Sequence, residues 1–162
     1  MFDPVKIIDA LNHHQVDYVV IGGIAAVLHG CPEQTYDLDI LYANTEENRH
    51  RLLLALQAIG AEWDLPLNDE VLQRQPVFAL NTRFGDLDIM TWVPAVEDYQ
   101  SVVGRTQVFP VGTQTVRALD LPMLITTKEA AADPNPRKQS TLLYLKKIHQ
   151  LQSGKPSSSN KA

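Results

Sequence analysis

Three aspartates carry the residue types and spacing that could do chemistry. Asp37 and Asp39 sit two positions apart in TYDLDILY, and Asp88 sits in FGDLDIMTW. Each lies between aliphatic residues in a run that reads as a β-strand. Positions i and i+2 of a strand face the same side, so Asp37 and Asp39 project together while Leu38 and Ile40 face the other way. A charge among apolar neighbours is costly unless something neutralises it. Two carboxylates this close repel, which raises one pKa unless a cation sits between them. Magnesium suits such a place, since it takes oxygen ligands from one or two carboxylates and from substrate phosphates. If the strand bearing Asp88 pairs beside the DLDIL strand, the three acids meet. Three carboxylates on adjacent strands can hold two ions about 4 Å apart for attack on phosphorus. Asp86 shares the face of Asp88 but adjoins Gly85 at a turn, and it reads as solvent-facing.

Gly22 and Gly23 precede the acidic pair by thirteen residues, at a junction of strand and helix. Without Cβ atoms the backbone there can approach a ligand closely, and a helix N-terminus favours an anion. The pair fits a phosphate cradle; taken alone, it reads first as a tight turn that only glycine makes.

These residues must be positioned by a fold of mixed type. Asp3 and Pro4 read as the cap and first residue of a helix over 3–14, with Val5, Ile8 and Leu11 on its inner face. Tyr18–Ile21 reads as a strand, Ile24–His29 as a helix and Asp37–Tyr42 as a strand. Thr45 caps a long helix running to Gly60. Val77–Thr82 and Asp86–Val93 read as a hairpin, followed by short strands near Thr106–Phe109 and Thr113–Ala118. Asp120 caps a helix to about Ala132, and Asn135-Pro136 opens the last one, with Leu142, Leu143, Leu145 and Ile148 as its buried stripe. The fold class is therefore α/β or α+β, a mixed sheet flanked by helices. Residues 1–152 are expected to form one domain, and SGKPSSSNKA, from Ser153 to Ala162, a flexible polar tail.

Composition narrows the setting. The 162 residues carry a net charge of −5, unevenly spread: 7 Lys+Arg against 16 Asp+Glu in residues 1–119, and 7 against 3 in residues 120–162. An acidic body with a basic C-terminal part accords with a cation site in the first and phosphate contacts in the second. The single cysteine, Cys31, excludes an internal disulfide, and no apolar run approaches the roughly 20 residues of a membrane span. A soluble, cytoplasmic protein with no membrane partner is expected. The five histidines show no ligand spacing for zinc.

Gly-Gly, thirteen residues, Asp-Leu-Asp-Ile and then Leu-Asp-Ile resemble the DNA polymerase β-like nucleotidyltransferase superfamily, and within it the small stand-alone bacterial members of the AbiE toxin type. VIGGIAAVLHG, TYDLDIL, GDLDIM and LPMLITTKEAAADPNPRKQSTLLYL occur in that family's order and cover most of residues 16–145. The resemblance implies a palm-like fold with C-terminal helices and a reaction that moves a nucleoside monophosphate from an NTP to a hydroxyl. It implies that Gly22 and Gly23 hold the triphosphate, that Asp37, Asp39 and Asp88 are the catalytic metal ligands, and that Lys128 contacts nucleotide phosphates. The implied cofactor is Mg²⁺, as one ion or two, with Mn²⁺ able to substitute. The implied acceptor is an RNA end, a protein side chain or a small molecule.

Three positions depart from the family pattern. Gly23 stands where Ser is frequent, Glu33 where Arg is frequent, and Pro136-Arg137-Lys138-Gln139 where the family reads Arg-Pro-Lys-Asp. These departures leave room for a second function, a catalytically weak nucleotide-binding component of a toxin–antitoxin pair with a cognate partner protein. A glycosyltransferase using Asp-x-Asp for manganese fits less well, because it leaves Asp88 and the glycine pair unexplained.

Overall fold

Six strands form one mixed sheet in the computed structural model, which describes residues 1–160 and the side chains of residues 1–154. Across the sheet the order is β3 (Val77–Thr82), β4 (Gly85–Met90), β2 (Asp37–Tyr42), β1 (Tyr18–Ile21), β6 (Gln114–Leu119) and β5 (Thr106–Val111). β1 runs antiparallel to β2 and parallel to β6, and β2 runs parallel to β4. The outer pairs, β3 with β4 and β5 with β6, are antiparallel hairpins. All four residues of β1 are buried, as a central strand covered on both faces must be.

The helices fall into two groups. α1 (Pro4–His13) packs on α3 (Glu46–Ala58) and β6, and α3 also meets the short α4 (Asp69–Leu72). α2 (Gly22–Leu28) packs on β1, β2 and α5 (Leu121–Ala131), and α5 packs on α6 (Pro136–Asn160). Capping sets the starts of the helices. The carboxylates of Asp3 and Asp120 and the hydroxyl of Thr45 accept the backbone N–H of Lys6, Met123 and Asn48. Among the described residues, no helix is long and apolar enough to cross a membrane.

Four local features differ from the sequence reading. Ile7, not Val5, joins Ile8 and Leu11 inside α1. Both glycines of the pair lie in the first turn of α2 rather than before it. On α6, Leu145 is buried, but Leu143 is 67% exposed, and Thr141 takes a buried place instead. The cause is geometric, since adjacent helix residues point about 100° apart and Leu143 cannot share the face of Leu142 and Leu145. The bounds of α6 also run past Ser153 to Asn160, through Gly154, whose cost inside a helix is only about 1 kcal/mol. Residues 161 and 162, the end of the expected tail, lie outside the described residues.

One buried polar side chain holds the sheet to the α3 side. Asn48, 0% exposed, accepts the Asp17 N–H at 2.7 Å and donates to the carbonyls of Asp17 and Ala43 at 3.0 and 2.8 Å. It joins the segment leading into β1 to the one leaving β2, and so fixes the two strands whose opposite ends build the site.

Candidate active site

Strand register brings the acids together. Asp39 of β2 pairs with Asp88 of the parallel β4, and Asp37 pairs with Asp86. Leu38 and Ile40, on the other face, are fully buried and anchor the strand. The carboxylates of Asp37, Asp39 and Asp88 supply oxygens that all lie within 4.8 Å of one another. All three side chains are partly open to solvent, whereas Asp86 is exposed at the end of the strand, as its place beside the turn predicts.

The electrostatics follow from this crowding. The Asp39 carboxyl is pushed up to about 7, first by burial and then by Asp37 and Asp88. Asp88 is also raised, chiefly by burial, while the hydrogen bond it shares with Asp39 pulls it down. The two carboxyls therefore share a hydrogen bond, which needs a proton on one of them. Such a set, all oxygen and short of positive charge, fits a hard divalent cation. Asp39 makes no ion pair among the described residues, so no cation of the protein already satisfies it.

Next to the acids lies the glycine turn. Ile21 of β1 pairs with Asp39, so the chain enters α2 directly beside that carboxylate. Gly22 has φ +69°, and a Cβ there would run into Oδ2 of Asp39. Glycine is thus required twice, for the left-handed backbone and for the space. The first turn of α2 has no side-chain cap, which leaves its N–H groups open to a ligand. A Cβ on Gly23 would lie 3.0 Å from the hydroxyl of Thr35, which donates to Oδ1 of Asp37 at 3.2 Å. Thr35 thus crowds any side chain placed at position 23.

Lys128 reaches the same region from α5. It lines a cleft of about 450 Å³ together with Gly22, Val93, Lys138 and Gln139. Its ammonium is held below the usual lysine range, first by burial and then by Lys138, while Glu33 and Asp39 act in the opposite sense. Glu33 is engaged elsewhere: it accepts the buried hydroxyl of Thr141 at 2.9 Å, which ties the loop before β2 to α6. Trp63 packs edge-on against Phe78, while Trp92 is 48% exposed and is not among the residues that line the cleft, as Val93 and Pro94 are.

Of the six residues marked in the sequence, Asp37, Asp39 and Asp88 converge, Gly22 adjoins Asp39, Gly23 adjoins Thr35, and Lys128 lines the larger cleft with Gly22. Two were not assigned a role there, Thr35 and Lys138. The Arg-Lys pair at the start of α6 was the available signal for Lys138, and the place of Thr35 at the head of TYDLDIL was the signal for Thr35.

A mixed sheet bearing an acidic pair on one strand and a third acid on its parallel neighbour, against a glycine turn, has the nucleotidyltransferase fold. The solved structures it matches include the lincosamide antibiotic adenylyltransferase LnuA bound to lincomycin, with a TM-score of 0.64 and 15% identity over 91% of this chain and 98% of that one. The antibiotic-resistance factor ANT(2'')-Ia matches in its solution structure with a TM-score of 0.61 and 17% identity, over 98% of this chain and 91% of that one. Its crystal structure with adenylyl-2''-tobramycin gives 0.60 and 16%, over 96% of each chain. No protein-family model matches the sequence, and no curated protein sequence does so.

Proposed function

We propose that this protein is a nucleotidyltransferase that moves a nucleoside monophosphate from an NTP onto a hydroxyl of a small molecule. One observation carries the reading: three carboxylates from two parallel strands converge within 4.8 Å beside an uncapped glycine turn. The size of the clefts and the acidic body favour a small acceptor over RNA, whose backbone calls for a basic surface. The matched structures include enzymes named as an adenylyltransferase bound to lincomycin and a resistance factor bound to adenylyl-2''-tobramycin, which is the same class of acceptor.

The chain's own groups divide the work. The N–H groups of Gly22 and Gly23 and the ammonium of Lys128 receive the triphosphate. Asp37, Asp39 and Asp88 would hold the divalent cation, Mg²⁺ or Mn²⁺, and Thr35 orients Asp37 for that task. Bound there, the cation supplies positive charge against the negative charge that develops on the phosphoryl oxygens. As the acceptor oxygen bonds to the α-phosphorus, the bond to pyrophosphate breaks, and the carboxylate of Asp88 takes the hydroxyl proton. Position 139 favours a second reading, a weakly active nucleotide-binding partner in a toxin–antitoxin pair, because Gln139 lines the cleft where the resemblance calls for a carboxylate.

Incubation with each α-labelled NTP, Mg²⁺ and separate pools of aminoglycosides, lincosamides, cellular RNA and protein tests the proposal. Label is expected on a small molecule and not with Asp39→Asn. Nucleotide binding without transfer to any pool would favour the second reading.

A further inference from the structure

Two clefts flank the site, one lined by Asp37 and the other by Gly22, whose turn adjoins Asp39. The larger, about 450 Å³, includes Gly22 and Lys128 with the apolar Ile21 and Leu142. The smaller, about 220 Å³, includes Asp37, Asp86, Tyr36 and Arg137. One residue lines both, Lys138 in the first turn of α6. Among the described residues its ammonium makes no hydrogen bond or ion pair, and neither does that of Lys128. Its charge nevertheless acts on both sides, attracting Asp39 and repelling Lys128. Two lysines directed at one region, neither held by a carboxylate, leave positive charge for an anionic ligand to satisfy.

We propose that Lys138 binds the α-phosphoryl group, the one transferred, while Lys128 binds the β- and γ-phosphates. The inference rests on the nucleotidyltransfer reading of this site. The phosphorus under attack must be reached by the nucleotide from one side and by the acceptor hydroxyl from the other. It therefore lies between the two clefts, and Lys138 is the side chain that lines both. Gly22 and Lys128 line the larger cleft alone, which puts the pyrophosphate part of the nucleotide there and leaves the smaller, polar cleft to the acceptor. During transfer the acceptor O–P bond forms, the P–O bond to pyrophosphate breaks, and the hydroxyl proton goes to Asp88. Lys138 keeps its proton throughout and donates a hydrogen bond to a non-bridging oxygen of the α-phosphoryl group. Its long, rotatable stem lets the ammonium follow that oxygen as the geometry at phosphorus changes.

The two lysines should then separate the two halves of the nucleotide. The test is an NMR-detected titration of wild type, Lys138→Met, Lys138→Arg and Lys128→Met with pyrophosphate and with AMP, GMP, CMP and UMP, all with Mg²⁺. Melting temperatures of the four proteins check that each is folded. Lys138→Met is expected to weaken binding of the preferred monophosphate at least tenfold while leaving pyrophosphate within threefold, because one charged phosphate contact is lost. Lys128→Met is expected to do the reverse, and Lys138→Arg to recover most of the monophosphate affinity. The proposal is overturned if Lys138→Met spares the monophosphate, or weakens pyrophosphate instead, while Lys128→Met still weakens pyrophosphate. Wild type that binds neither probe would overturn the nucleotide reading of the site itself, and the roles of both lysines with it.

Discussion

Replacing Asp39 by Asn removes one negative charge from the crowded end of β2 at nearly constant shape. In the metal-free protein Asp39 is raised from 3.8 to about 7, first by burial and then by Asp37 and Asp88. A carboxyl raised on folding contributes stability that is complete below its unfolded value, near 4. That contribution is lost as pH rises through the folded value, near 7. At about 1.4 kcal/mol per pH unit the whole span is roughly 4 kcal/mol. Sharing of the proton with Asp88 spreads part of this over the pair, so roughly 2–4 kcal/mol is the expected gain from Asp39→Asn at pH 8 in EDTA. The amide can keep a hydrogen bond to Asp88. For a chain of this size, 1 kcal/mol moves Tm by about 2–4 °C, so the variant should melt several degrees above wild type at pH 8. The gap should close as pH falls towards 4. Thermal melts from pH 4 to pH 8 in EDTA, repeated with Mg²⁺ and NTP, measure it. Wild type should gain stability from the ligands by mass action, and Asp39→Asn should gain much less. A variant that melts well below wild type at pH 8 in EDTA would refute the reasoning, because it would mean that Asp39 balances a buried cation.

Gly22→Ala forces an alanine to φ +69° and its methyl group against Asp39, so calorimetry should find a loss of about 1–3 kcal/mol and no thermal shift on adding Mg²⁺ and NTP. Asn48→Ala strips partners from the N–H of Asp17 and the carbonyls of Asp17 and Ala43; urea unfolding should register roughly 2–4 kcal/mol of destabilisation with nucleotide affinity intact. The buried hydroxyl of Tyr42 has no hydrogen-bond partner among the described residues, so Tyr42→Phe should match or exceed wild-type stability, by up to about 1 kcal/mol in the same unfolding assay.

What the sequence discloses here depends on whether a residue's role is local. The facing of Asp37 and Asp39 follows from the two-residue period of a strand alone, and Asp3, Thr45 and Asp120 sit in caps that depend on the next three residues. The meeting of Asp88 with Asp39 required one further assumption, that β4 lies beside β2, and the register bears it out. Roles set by distant neighbours were not legible. Nothing in EENRHR marks Asn48 as buried, and only the approach of Asp17 and Ala43 makes it a tie. Lys138 stands in a motif that departs from the family's, and its place beside Lys128 depends on the packing of α5 on α6. The four-residue α4 is too short to leave a periodic signal, and on α6 the clustering of Leu142, Leu143 and Leu145 hid which face turns inward.

The central claim is that Asp37, Asp39 and Asp88 jointly hold a divalent cation against a bound nucleotide. Anomalous diffraction from crystals grown with Mn²⁺ and a non-hydrolysable α,β-methylene NTP tests it most directly. The account predicts a manganese peak bonded to oxygens of all three carboxylates and of the α-phosphate, beside the Gly22 turn. Manganese bound elsewhere, with the three acids engaging only protein groups or water while the nucleotide is present, would contradict it.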